Sequence, residues 1–224
     1  MMAKAKLIVV MGASEHGKVI VDVIERARKY HILGWIDTFK PVGGMLFGYQ
    51  ILGTEELLPD LMKNEGIMGG IIAIGDNWTR GRAAEKIKSL APDFEFISAT
   101  HPSAQIARGV TIGGGTVVMA GALVNSDSRV GDHCILNTKS SLDHDCVMED
   151  FSSLAPGVTI GGVARIGTFS AVSLGANIIH GRTIGTHTVI GAGALVLEDI
   201  PDHCVAYGVP AKVIRKREEG EKYF

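Results

Sequence analysis

Stepping six residues at a time from Ile106 lands on Ile112, Val118, Val124, Val130, Leu136, Leu142, Met148, Leu154, Ile160, Ile166, Val172, Ile178, Ile184, Ile190 and Val196. All sixteen positions are aliphatic, and the register does not slip. A six-residue period is neither the 3.6 of an amphipathic helix nor a coiled-coil seam. It is the period of a parallel β-helix, where each hexapeptide supplies one short strand and one corner of a triangular prism. Fifteen hexapeptides predict five three-sided coils, stacked about 4.8 Å apart, with the sixfold positions pointing inward. Glycine is frequent in the repeat because corners need positive φ or close backbone approach. The register begins just after His101-Pro102 and ends at Glu198–Pro201.

Residues 1–100 have a different rhythm. Leu7–Met11 is a short apolar run of buried-strand type, followed by the loop Gly12–Gly17. A helix is expected from about Lys18 to Tyr30, because Val19, Ile20, Val23, Ile24 and Ala27 recur at helical spacing. Ile32–Ile36 and Ile71–Ile74 read as further strands, with helices from Thr54 to Lys63 and from Thr79 to Leu90. The alternation predicts a Rossmann-like α/β domain over residues 1–100, with a small parallel sheet. The β-helix domain spans 101–214, and a charged tail, helical or frayed, spans 215–224.

Composition narrows the partners. The formal net charge is −2, with no basic field for nucleic acid and no apolar run long enough to span a bilayer. Leu7–Met11 is too short for a signal peptide, so a cytoplasmic protein is expected. Cys134 and Cys146 fall at the fifth place of their hexapeptides, where a buried, reduced thiol is expected.

Ligands of such sheets sit beyond the carboxyl ends of the strands. Those ends are Gly12–Gly17, Asp37-Thr38 and Gly75–Asn77. The front loop reads G-x-x-x-x-G-K, but Val19 stands where a magnesium-binding hydroxyl is required, which argues against a nucleotide hydrolase. A glycine loop entering a helix still offers amides and a helix dipole to a diphosphate, and Gly12, Ser14 and Gly17 are the candidates. Asp37 is a candidate acceptor for ribose hydroxyls or a base N–H, while Asp76, Asn77 and Arg80 are candidates for the base or phosphates. In the prism, His144 lies at the third place of its hexapeptide, on a wall rather than in the ladder. His180 shares that place two coils on, which predicts roughly 10 Å between them. His133 and His187, at the fourth place, are expected on the surface, and His203 has no assigned role.

The hexapeptide domain resembles the left-handed β-helix acyltransferases, and Tyr207-Gly208-Val209-Pro210-Ala211-Lys212 looks like their C-terminal signature. The front loop Gly12-Ala13-Ser14-Glu15-His16-Gly17-Lys18 resembles the nucleotide-sugar domain of one subgroup. That subgroup contains bacterial N-acetyltransferases of UDP-4-amino-sugars and GDP-perosamine, together with sialic acid O-acetyltransferases. The resemblance implies an acetyl-CoA-dependent N-acetyltransferase of a nucleotide-linked amino sugar; O-acetylation of sialic acid or another glycan sugar is the alternative. It also implies a left-handed coil and a homotrimer with acetyl-CoA in the grooves between prisms. By the same resemblance, His144 is the general base and Asp145 its acidic partner, with Asp143 a rival, and Asn137 and Thr138 belong to the same segment. Gly162, Leu174, Gly175 and Ala192 line the acetyl-CoA cleft, with Pro210, Lys212 and Arg215 toward its 3′-phosphate. His16 matches a histidine that approaches the sugar from the neighbouring subunit, and Thr38 and Gly75 complete the substrate side. Ser153 replaces a second histidine carried by some members. A carbonic-anhydrase-type zinc site, also found on this fold, needs a close histidine pair, and no H-x₄-H occurs.

Overall fold

The computed structural model describes residues 6–223. The front domain runs β1 (Lys6–Met11), α1 (Glu15–Ala27), β2 (Tyr30–Ile36), β3 (Met45–Leu46), β4 (Tyr49–Gly53), a 3₁₀ turn (Glu55–Leu57), α2 (Leu58–Asn64), β5 (Gly69–Ile72), α3 (Asn77–Leu90) and β6 (Glu95–Phe96). The sheet order is β3-β4-β2-β1-β5-β6. All pairings are parallel except the β3–β4 hairpin, which the hydrophobic pattern did not predict. β1 is apolar on both faces because both are covered. Ile8 and Val10 join the cluster under α1, while Val9 and Met11 join the cluster of α2 and α3. α1 starts three residues earlier than expected, because Ser14 caps it by accepting from the Gly17 amide at 3.1 Å. A Cβ at Gly17 would lie 2.7 Å from the Gly12 carbonyl and 2.9 Å from the Trp35 ring, so glycine lets α1 close against β2.

Seventeen two-residue strands follow, from Ala99–Thr100 to Leu195–Val196, each paired in parallel with a strand eighteen residues away along the chain. They form the three faces of a left-handed parallel β-helix. The coil begins one hexapeptide before the aliphatic register, because Ala99–Thr100 already pairs with Val117–Val118. Fourteen of the sixteen ladder residues are buried; Ile106 and Ile112, in the first coil, are the exceptions. Fifteen successive corners have positive φ three residues after each ladder position, but only seven of them are glycine. The others include His133, Asp145, Phe151, Val163 and Phe169. Glycine is required instead just after the ladder position: at Gly113, Gly131, Gly161, Gly167 and Gly185 a Cβ would come within 2.3–2.7 Å of the next coil. Cys134 and Cys146 are buried free thiols facing carbonyls of the next coil.

At the far end the spacing contracts. Ile200 bridges Ile184, and Val205–Ala206 pairs with Val189–Ile190, an offset of sixteen residues instead of eighteen. The strand Cys204–Gly208 then turns back as Ala211–Lys216, antiparallel. Among the described residues the tail is not helical. Arg217 is buried, donates to the His187 carbonyl at 3.1 Å and stacks over Tyr223, while Gly220 lies against Trp78.

The two domains share a continuous core. The α1 cluster includes Ala99, Val117, Met119 and Ile135 of the prism, and Gly81 of α3 lies against Phe169.

Candidate functional site

His144 stands on a prism corner, half exposed. Its Nδ1 meets Asp145 Oδ2 at 2.8 Å. Asp145 reaches the ring because it occupies the positive-φ corner, φ 56°, which turns its side chain back toward its neighbour. Asp143 does something else: it accepts the His144 backbone amide at 2.8 Å and the Asn125 side-chain amide at 2.6 Å. A carboxylate facing Nδ1 selects the tautomer with the proton there, which leaves the Nε2 lone pair directed outward. The hydrogen bond to Asp145, then the charges of Asp143 and Asp145, raise the His144 pKa above its ordinary 6.5. The Asn125 and His144 amide bonds lower that of Asp143.

Gly162 sits one coil beyond His144, and a Cβ there would lie 2.6 Å from Nε2. The missing side chain has a second effect. The His144 and His180 rings lean over the glycine to a centroid distance of 6.2 Å, closer than the two-coil spacing predicts.

A second region lies elsewhere on the molecule. A cleft of about 640 Å³ runs between the front domain and one prism face. It is lined by His16, Gly75 and Asp76 from the loops, by Ile135, Asn137, Ser153, Ala155 and Ala171 from the face, by Pro156, Leu174 and Ala192 from one edge, and by Tyr223 from the tail. Thr138 follows Asn137 and is held by its side-chain carbonyl at 2.8 Å. Gly175 is the positive-φ corner after Leu174. His144 and Gly162 are not among the lining residues, since their edge recurs eighteen residues apart on a different corner. The proposed base and the cleft thus occupy different parts of one chain.

The front loop is tightly tied. Gly12 N donates to Ile36 O, Ser14 N to Gly12 O, Gly17 N to Ser14 Oγ and Ala13 N to Asp37 Oδ2 at 2.7 Å. The first-turn amides of Glu15 and His16 are left at the start of α1, as at any helix N-terminus. His16 is largely buried, its Nε2 has no partner among the described residues, and burial followed by the charge of Arg80 lowers its pKa to about 4. Asp37 serves the backbone: it accepts from Ala13, Phe39 and Lys40. Thr38 Oγ1 donates to Glu55 Oε2.

Arg80 and Asn77 do not face the cleft. Arg80 is fully buried, and its five donors meet the carbonyls of His133, Ile74, Gly75 and Phe151 and the side-chain oxygen of Asn77, at 2.6–3.1 Å. Burial lowers its pKa to about 10, which keeps it charged. Asn77 donates to the Phe169 and Ser170 carbonyls. These two side chains fasten the domain seam, so they do not fit the expected contact with base or phosphates. Pro210, Lys212 and Arg215 lie on the exposed C-terminal hairpin, and Arg215 pairs with Glu221 at 2.6 Å. The expectation that His133 and His187 lie on the surface is overturned. They flank two phenylalanines in a stacked column, His133–Phe151–Phe169–His187–His203, with neighbouring centroids 4.9–5.1 Å apart. An aromatic ring every eighteen residues from His133 to His187, and sixteen on to His203 in the contracted coil, is the sequence signal for this column. Tyr223 has no such signal. Among the described residues there is no cluster of three or more His, Cys, Asp or Glu suited to a metal ion, and no helix long and apolar enough to cross a membrane.

Residues 7–87 match the PglD N-terminal domain family. A GDP-perosamine N-acetyltransferase mutant from Caulobacter crescentus, solved with CoA and GDP-perosamine, superposes with a TM-score of 0.88 at 32% identity, covering 93% of this chain and 97% of that one. The acetyltransferase domain of PglB from Neisseria gonorrhoeae gives 0.85 at 32% identity, covering 93% and 100%. Serine acetyltransferase from Synechococcus elongatus is 28% identical over 122 residues, and the match spans 41% of its length.

Proposed function

Because the chain belongs to the hexapeptide-repeat acetyltransferase family that includes GDP-perosamine N-acetyltransferase, we propose that it moves the acetyl group of acetyl-CoA to the amine of a nucleotide-linked amino sugar. The observation that carries the chemistry is His144, half exposed, with Nδ1 tied to Asp145 and Nε2 open beside Gly162. A thioester is already activated, so no covalent nucleophile is needed. The amine nitrogen attacks the thioester carbonyl carbon, and the C–N bond forms as the amine proton passes to His144 Nε2. Asp145 stabilises the imidazolium. The C–S bond then breaks, and the departing thiolate takes the proton back from His144. The Gly162 amide, at the edge of the same groove, serves the oxyanion.

The separation of His144 from the cleft supports a site shared between protomers. In this reading the chain is a trimer, and each His144 edge faces the cleft edge of a neighbour. Acetyl-CoA lies along the groove between Gly162 on one side and Leu174, Gly175 and Ala192 on the other. The sugar is presented at His16, Gly75 and Asp76, and the diphosphate lies over the first turn of α1. Neutral His16 suits a sugar hydroxyl, because it exchanges a hydrogen bond without adding charge.

The test is CoA-thiol release from acetyl-CoA with UDP-, GDP- and dTDP-linked amino sugars, alongside sialic acid. Release with an amino-sugar nucleotide is expected. Release with sialic acid alone overturns the N-acetyl assignment in favour of O-acetylation. A sedimentation mass of one chain overturns the shared site.

A further inference from the structure

We propose that Phe39 is the stacking platform for the nucleobase of the substrate, an inference that rests on the nucleotide-sugar reading above. Such a substrate is linear, running base, ribose, diphosphate, sugar. The sheet order gives it a direction. β1 lies between β2 and β5, and the cleft lined by Gly75 and Asp76 opens beyond β5. With the diphosphate over α1, which follows β1, the sugar extends toward β5. The base then extends the other way, toward the end of β2, about 4.8 Å away per strand. That end is the turn from Asp37 to Lys40.

Phe39 is 93% exposed on this turn, yet the turn is not loose. Asp37 Oδ1 accepts the amides of Phe39 at 2.8 Å and Lys40 at 2.9 Å, while Oδ2 accepts Ala13 of the front loop. Thr38 Oγ1 donates to Glu55 at 2.9 Å. Side-chain bonds thus hold the backbone of a turn whose aromatic ring is almost fully exposed. A ring carried on a held backbone is placed for a planar partner, and an aromatic side chain has only two torsions to lose when one binds. It also gives Asp37 a function: the carboxylate ties the base side of the site to the phosphate loop.

Titration of the intact protein with GDP, UDP and dTDP tests the assignment, with acetyl-CoA as the control ligand. F39A should weaken binding of whichever nucleotide the wild type takes by roughly ten-fold or more, from the usual worth of base–aromatic stacking. Acetyl-CoA affinity and melting temperature should not move. F39W should retain nucleotide binding and show quenching of the new indole. Unchanged nucleotide binding in F39A, an equal loss for acetyl-CoA, or an altered sedimentation mass (Phe39 as a subunit contact) each overturns the proposal. A wild-type protein that binds none of the three nucleotides overturns the nucleotide-sugar reading itself, and this proposal with it.

Discussion

Two corners of the prism carry histidines one place apart in their hexapeptides, and they differ in what covers them. On one, His144 and His180 face outward, and the hydrogen bond that His144 donates to Asp145 raises its pKa. On the other, His133 lies under the front domain, stacked on Phe151 at 4.9 Å and 4° with Phe96 edge-on at 4.4 Å. Burial, reinforced by Arg80, lowers its pKa to about 4. The repeat supplies similar corners. The neighbour decides whether an imidazole exchanges protons or fills space.

The sharpest way to break this contrast is to remove one histidine from each corner. His144→Ala should lower kcat by roughly 10²–10⁴-fold without changing the KM for acetyl-CoA. His133→Phe, assayed identically at neutral pH, should leave kcat unchanged; equal losses in both would erase the distinction. Added methyl groups make a second pair. Gly162→Val intrudes on Nε2 and should reduce kcat on the order of 10–100-fold with stability preserved. Gly81→Ala, whose Cβ would lie 2.7 Å from the Phe169 ring, should instead destabilise the protein by about 1–3 kcal/mol in urea unfolding.

Acidity separates the corners further. The base must be unprotonated, so activity falls below the raised His144 pKa. In Asp145→Asn the imidazolium loses its partner and the pKa drops. The acid limb of the kcat/KM profile should therefore move to lower pH, while the plateau rate falls; a limb that stays in place shows that another group titrates.

His133 and His16 titrate near 6.5 when unfolded and at about 4 when folded. Between those values the unfolded chain binds more protons, so stability is lost as pH falls through 6.5 toward 4. Each contributes about 2 kcal/mol of that loss by pH 5. His133→Phe should shrink the difference in unfolding free energy between pH 7 and pH 5 by about 2 kcal/mol, and an unchanged difference places the acid sensitivity elsewhere.

The architecture was legible because a ladder residue is buried by its own repeat, whatever the rest of the chain does. Thr100 escaped the pattern because the first rung is defined by pairing rather than by an aliphatic side chain. The His144–Asp145 contact follows from adjacency at a corner, and it was readable through the family resemblance. Arg80 misled for a tertiary reason. Beyond a parallel strand an arginine ordinarily faces phosphate, but here carbonyls from two domains converge on it and exclude solvent. The His144 and His180 rings lie closer than two coils of spacing because Gly162 leaves room for both to lean.

The contracted last coil sets how long the prism can be. A stack of equivalent rungs has no intrinsic end, and its terminal strands present the backbone groups that another copy's first rung could pair with. Taking two residues out of the final turn and reversing the chain at Gly208–Ala211 leaves one face bordered by an antiparallel strand, out of step with the eighteen-residue repeat. A second prism arriving end-on meets the wrong strand direction there, so the repeat that builds the molecule does not also polymerise it along that face.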